Sequence, residues 1–343
     1  MRIAQIAPLY ESVPPRLYGG TERVVSWLTD QLVKDGHDVT LFATADSRTD
    51  GRLLAPYPRG LRLDPSQPDP IAVHVMELAQ AFERAAEFDV IHCHVDYLAF
   101  PFARLVRTPV LHTLHGRLDV RHMFQVLAQF PEAPLVSISD SQRRPVASLD
   151  LNWIATVPHG LPLADVPWRA EPRGGYLAFL GRMSREKRPD LAIAVAKQLG
   201  LPLRIAAKVD DADRKYFDRH VRPLLNHPLV EFVGEVNDDE KWRFLGDALC
   251  LLFPIDWPEP FGLAMIEALA CGTPVVARPC GSVPEIIRDG ETGFVGETVE
   301  QLAAAVKRVD VIDRARCRRH AERHFSVEVM TNHYEAVYRR LAR

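Results

Sequence analysis

The chain has few cysteines, little net charge and no long apolar run, and each shortage excludes a class of protein. Cys93, Cys250, Cys271, Cys280 and Cys317 are odd in number, none lies in a C-x-x-C pair, and three sit inside apolar runs. That usage points to reduced thiols in a cytoplasmic protein rather than a disulfide framework. No stretch approaches the roughly 20 apolar residues of a membrane span, and the opening residues 1–7 lack the length and cleavage site of a secretory leader. A net charge of −3 argues against a nucleic-acid binder. Two chemical signatures are also missing. No Asp-x-Asp pair follows a strand pattern to seat a divalent metal; Asp210-Asp211 and Asp238-Asp239 read as helix-start carboxylates. No G-x-G-x-x-G opens a helix after the first strand, which ranks a dinucleotide oxidoreductase last.

What is present is an ordinary globular composition, 47% hydrophobic and 25% charged, over 343 residues, more than one domain usually holds. Apolar β-branched runs alternate with helical periodicity, the pattern of βαβ units around a parallel sheet. Strands are expected at 2–7, 38–43, 90–95, 110–114, 135–139 and 154–158. A helix is expected at 21–34, where Val24, Val25, Leu28 and Leu32 recur at helical spacing before Gly36. Pro162, Pro167 and Pro172 then interrupt the pattern over 161–174. A second alternation follows: strands at 177–180, 203–209, 230–233, 249–254 and 274–277, helices at 189–199, 212–225, 239–245 and 261–270.

The expected fold is therefore α/β, with two Rossmann-like domains facing across a cleft, 1–165 and 166–325, and a last helix at about 326–343 that can pack back on the first. Ligands of such sheets sit at the carboxyl ends of the strands. The proline-rich stretch 46–70 fits neither alternation and reads equally as an acceptor pocket or a surface insertion. The basic run Arg314, Arg316, Arg318, Arg319 and Arg323 reads as a solvated helix face in preference to a site for an anionic surface.

Two segments carry phosphate chemistry. Arg182 and Lys187, in Gly181-Arg182-Met183-Ser184-Arg185-Glu186-Lys187, leave the carboxyl end of a strand just before a helix. Two cations so placed can clamp a diphosphate, although a charged βα loop is a common feature without a ligand. In Glu259-Pro260-Phe261-Gly262-Leu263-Ala264-Met265-Ile266-Glu267, Pro260 and Gly262 open a helix. The amides of Phe261, Gly262 and Leu263 are then left for an anion or a sugar hydroxyl. Glu259 and Glu267 stand eight residues apart, at most roughly 12 Å at helical rise, about the reach from a sugar ring across a diphosphate to a ribose. A buried Glu267 is costly if idle; the alternative places it on an exposed face. In the first half, Gly19 and Gly20 bring bare amides to a helix start, and His115 ends a strand. His92 and His94 alternate on a strand around Cys93. Without a third ligand of clear spacing, packing is favoured over a metal, and His112 reads the same way.

These motifs resemble those of family 4 retaining glycosyltransferases of the two-Rossmann GT-B fold. The resemblance covers nearly the whole chain and is strongest over 177–300. It rests on the Glu259-x7-Glu267 signature, on residues 179–187 as a diphosphate stretch, and on Val233-Gly234-Glu235-Val236 followed by Asp238-Asp239-Glu240-Lys241 as a base-binding loop. Gly281-Ser282-Val283-Pro284-Glu285 and Gly290-Glu291-Thr292-Gly293-Phe294 match the family's following turns. It implies that Arg182 and Lys187 hold the diphosphate. Glu259, with the amides of Phe261, Gly262 and Leu263, would hold the sugar and β-phosphate, and Glu267 the ribose hydroxyls. The backbone near Val236 would face the base. Gly19 and Gly20 match the family's glycine-rich turn, and His115 its active-site histidine.

The chain departs from the family at His159, where Asn is usual, and at Lys208, a position often held by glycine. The opening from Ala7-Pro8-Leu9-Tyr10 to Tyr18-Gly19-Gly20-Thr21-Glu22-Arg23 is similar to a subgroup that includes pteridine glucosyltransferases. The implied activity is transfer of a hexose, with retention, from a UDP-glucose-like donor, or GDP-mannose, to a hydroxyl of a small soluble acceptor. No metal or cofactor is expected. The rival readings are a GT-B sugar-nucleotide epimerase and a non-catalytic sugar-nucleotide binding protein.

Overall fold

The computed structural model describes residues 1–16 and 19–342. The chain divides into two compact units, Met1–Leu161 joined by the segment from Val327 on, and Pro162–Ser326. The division falls four residues before the expected 165/166 boundary.

The first unit is a seven-stranded parallel sheet in the order β3-β2-β1-β4-β5-β6-β7. Its strands are β1 (Arg2–Ile6), β2 (Asp38–Phe42), β3 (Arg52–Leu54), β4 (Val90–Cys93), β5 (Val110–Thr113), β6 (Leu135–Ser137) and β7 (Trp153–Thr156). The second unit repeats the winding as β10-β9-β8-β11-β12-β13, with β8 (Leu177–Arg182), β9 (Leu203–Lys208), β10 (Val230–Gly234), β11 (Cys250–Phe253), β12 (Val275–Ala277) and β13 (Gly293–Val295). Each unit is Rossmann-like. In both, the winding reverses beside the first strand, between β1 and β4 and between β8 and β11. The loops leaving those strands flank the crevice where such sheets bind ligands.

The central strands are buried on both faces because helices cover both: β4 and β11 are buried at every position. The helix Gly20–Lys34 buries Val24, Val25, Leu28 and Leu32, and the last helix, Val327–Leu341, packs on it. In the second unit the helix Asp238–Gly246 begins on a reciprocal capping box between Asn237 and Glu240. No helix among the described residues is long and apolar enough to cross a membrane.

Four expectations need correction. The stretch 46–70 is not all loop. Arg52–Leu54 pairs with β2, and the backbone of Leu61 and Arg62 bonds to Leu9 and Tyr10. β13 was not foreseen; it is a three-residue edge strand. The expected helix over 212–225 is broken into short turns, with a wide turn at Phe217–Val221. Pro223 cannot donate to the helical ladder there and crowds the carbonyl one turn back. The helix expected from 261 begins at Leu263, with Gly262 as its cap at a φ of 84°, a left-handed conformation that suits glycine.

Candidate active site

Three of the expected residues leave the crevice strands of the second unit. Arg182 ends β8, Lys187 follows it, and Glu259 lies on the loop after β11. The Lys187 ammonium is ion-paired with Glu259 Oε2 and lies 5.3 Å from the ring centroids of both Phe253 and Trp257. Trp257 Nε1 donates to the same carboxylate oxygen at 3.0 Å. Glu259 is buried, and its backbone is fixed by its neighbours. The Ser282 amide donates to its carbonyl at 3.0 Å, and a Cβ on Gly281 would lie 2.3 Å from its nitrogen. Gly281, at a φ of 59°, thus lets the 280–282 turn fold over the Glu259 backbone. Ser282 Oγ donates to the Phe261 carbonyl at 2.6 Å, which anchors the approach to Gly262 and Leu263.

Arg182 sits within 3.6–3.7 Å of carboxylate oxygens on Glu186, Asp210 and Asp213. These separations exceed good hydrogen bonds and leave mainly coulombic attraction. Its register partner on β9 is Lys208, whose ammonium is 2.9 Å from Asp210. Arg188 and Arg278 both bind Asp256, and the Asp256 amide donates to the Glu186 carbonyl, so the loops after β8 and β11 are tied together.

Glu267 is buried, so the exposed-face alternative fails. Its partner is Lys241, at 2.7 Å, which also reaches Asp238 at 2.9 Å. The sequence placed Lys241 in the base-binding stretch but missed its pairing with Glu267. The available signal was the Asn237–Glu240 capping pair, which sets the start of the helix that carries it. Val236 borders a separate open depression of about 350 Å³, lined in part by Tyr176, Arg204, Glu240 and Arg243. None of Arg182, Lys187, Glu259 or Glu267 lines it.

In the first unit Gly19 precedes the helix Gly20–Lys34 and packs on Pro15, where a Cβ would come within 2.7 Å. Tyr18 lies outside the described residues. Glu22, in the first turn of that helix, is buried, and burial raises its carboxyl above the ordinary range. His115 follows β5. Its Nε2 is 2.8 Å from His94 Nδ1, its ring stacks on His159 at 5.2 Å, and burial pushes it down to about 3. Asp96, beside it, receives the His115 amide and is pushed up to about 6 by burial. His92 and His94 spend their ring nitrogens on Tyr338, Thr113, Gln5 and His115. His112 packs edge-on against Phe100 at 4.7 Å. No group of three or more His, Cys, Asp or Glu among the described residues is placed to hold a metal.

Arg314 and Arg318 are not part of a solvated face. Arg314 donates to the Arg169, Gly246 and Ala248 carbonyls and to Thr273 Oγ1, and Arg318 to the Leu163, Val166 and Ala270 carbonyls. Arg316, Arg319 and Arg323 are exposed.

Known proteins share this chain's family and fold. The family model described as Glycosyltransferase Family 4 matches residues 18–199, and that described as Glycosyl transferases group 1 matches 167–323. Glycogen synthase of Mycobacterium tuberculosis is 28% identical, over 90% of this chain and 86% of that protein. The structure of AviGT4, a glycosyltransferase involved in avilamycin A biosynthesis, is 26% identical with a TM-score of 0.75, covering 99% of this chain and 98% of that one. Anabaena Alr3699/HepE in complex with UDP-glucose shares the fold at 15% identity, with a TM-score of 0.77 over 99% of this chain and 100% of that one. Two Rossmann-like domains with these matches define a glycosyltransferase of the GT-B type. The chain belongs to glycosyltransferase family 4.

Proposed function

We propose that this glycosyltransferase moves a hexose, with retention and without a metal, from a nucleoside-diphosphate hexose to a hydroxyl of a small soluble acceptor in the cytoplasm. A UDP-glucose-like donor is favoured, with GDP-mannose as the alternative. The observation that carries the reading is the Lys187–Glu259 pair on the loops after β8 and β11, with Arg182 at the end of β8. As the glycosidic bond breaks, charge develops on the leaving phosphate, and fixed cations and helix amides stabilise it more than the ground state. Lys187 and Arg182 are those cations in this reading. Glu259 accepts from a sugar hydroxyl once the diphosphate draws Lys187 away. The amides at Gly262 and Leu263 face the β-phosphate, and Glu267 takes the ribose. The leaving phosphate itself accepts the acceptor's proton, so no strong protein base is needed.

A panel of nucleotide sugars screened for protection against thermal unfolding identifies the donor, since a ligand of the folded state raises stability by mass action. Turnover of that donor is then followed in excess chelator. Undiminished turnover supports the metal-free reading, and loss restored by magnesium or manganese overturns it. Protection without transfer or other turnover favours the binding-protein alternative.

A further inference from the structure

Gln5 sits in β1 with no exposed surface, and its amide joins two arms of a buried hydrogen-bond chain that ends at His115. Its Nε2 donates to the Tyr338 hydroxyl at 3.0 Å, and its Oε1 lies 2.8 Å from His94 Nε2. An amide oxygen only accepts, so His94 carries its hydrogen on Nε2. His94 Nδ1 is then an acceptor, and its 2.8 Å contact with His115 Nε2 places the hydrogen of His115 on Nε2. His115 Nδ1 remains without a hydrogen, buried and with no hydrogen-bond partner among the described residues.

The other arm has the same order. Tyr338 accepts from Gln5 and donates to His92 Nδ1 at 2.7 Å. His92 Nε2 then donates to Thr113 Oγ1 at 2.7 Å, and Thr113 lies 3.0 Å from the Tyr334 hydroxyl. Burial holds His92, His94 and His115 below the ordinary imidazole range, so the tautomer rather than the charge is the variable near neutral pH. Turning the Gln5 amide over would reverse every donor along the chain and move the His115 hydrogen to Nδ1. One side chain therefore sets the direction of the whole array.

We propose that Gln5 is the positioning residue of His115, holding it as the Nε2–H tautomer so that its Nδ1 accepts from a substrate hydroxyl and cannot donate to a phosphate. The use made of His115 rests on the transferase reading. A buried acceptor without a partner is costly, and a hydroxyl that arrives with substrate and donates to it recovers that cost. The array also makes the last helix a partner in the site's protonation, since Tyr338 and Tyr334 lie on Val327–Leu341.

Two-bond nitrogen–proton NMR correlation on protein carrying ¹⁵N-histidine reads the tautomer without substrate, with the His115 signals assigned by their loss in His115→Gln. The hydrogen is expected on Nε2 in the wild type. In Gln5→Met both arms lose their common partner. His115 should then show mixed tautomers, and kcat should fall about tenfold, the fold change of roughly one neutral hydrogen bond, while KM for the nucleotide sugar stays within about twofold. Tyr338→Phe, which keeps His94 and His115 intact, should shift the tautomer in the same direction by less, and it stands in if Gln5→Met does not fold. A wild-type hydrogen on Nδ1 overturns the proposal. So does a fall in kcat with the tautomer unchanged, or a changed tautomer with kcat unchanged. Absence of transfer by the wild type would count against the transferase reading alone, because the tautomer is still measured.

Discussion

Changing Glu267 to Gln tests whether the two signature carboxylates have different duties. The Glu267 and Lys241 side chains are 7% and 8% exposed, and they meet at 2.7 Å. Removing one partner of a buried pair costs about 3–5 kcal/mol when the other charge is stranded. Lys241 is not stranded here: Asp238 remains at 2.9 Å, and a Gln carbonyl can still accept. The expected loss is that of one charge-assisted bond, about 1.5–3 kcal/mol. The same loss applies to a ribose hydroxyl that donates to Glu267, which weakens nucleoside diphosphate binding by roughly tenfold to a hundredfold. Glu259→Gln acts oppositely. It releases Lys187 from its ion pair with Glu259, so a diphosphate recruits Lys187 with less competition. Affinity for the free nucleoside diphosphate should hold or rise while turnover of the sugar nucleotide falls. Calorimetry with the nucleoside diphosphate on both variants, and on Lys241→Met to isolate the lysine's own effect, separates the cases. If Glu259→Gln loses nucleoside diphosphate affinity and Glu267→Gln keeps it, the division of roles is refuted.

The basic run offers an internal control. Arg314→Met should destabilise the protein by more than about 3 kcal/mol in denaturant unfolding, because four acceptors that Arg314 serves lose a donor, whereas Arg319→Ala, at an exposed pair with Asp313, should change it by less than about 1 kcal/mol. An equal effect of the two would refute the carbonyl-tying role of Arg314. Glu77 is fully buried with no partner for either oxygen among the described residues, and burial raises its carboxyl well above 4.5. The folded chain keeps a proton there that the unfolded chain releases. The Glu77 contribution is therefore full below about pH 4.5 and declines by up to about 1.4 kcal/mol per pH unit as pH rises toward the folded value. Glu77→Met should flatten that decline in unfolding measured across pH 5–8; an unchanged slope would show the group is not the cause.

How much of this was legible in the sequence follows from the range over which each feature is determined. The central strands β1, β2, β4, β5 and β11 fall within two residues of their expected ends, because a strand buried on both faces is mostly an apolar run. The edge strands β3 and β13 escaped, since three residues paired on one side need no such run and take their order from β2 and β12. The site divides in the same way. Arg182, Lys187, Glu259 and Glu267 were visible as local motifs, but their partners were not. Lys187 meets Glu259 across 72 positions, Lys241 meets Glu267 across 26, and Gln5 meets Tyr338 across 333. No period in the sequence encodes such meetings; the winding of the sheets does. For His92 and His94 the sequence favours packing over a metal seat only because no third ligand of clear spacing follows. Their neighbours add a physical reason for packing. Gln5, Thr113, His115 and Tyr338 leave the ring nitrogens engaged in hydrogen bonds, and a nitrogen that donates or accepts in that chain cannot ligate a metal without breaking it.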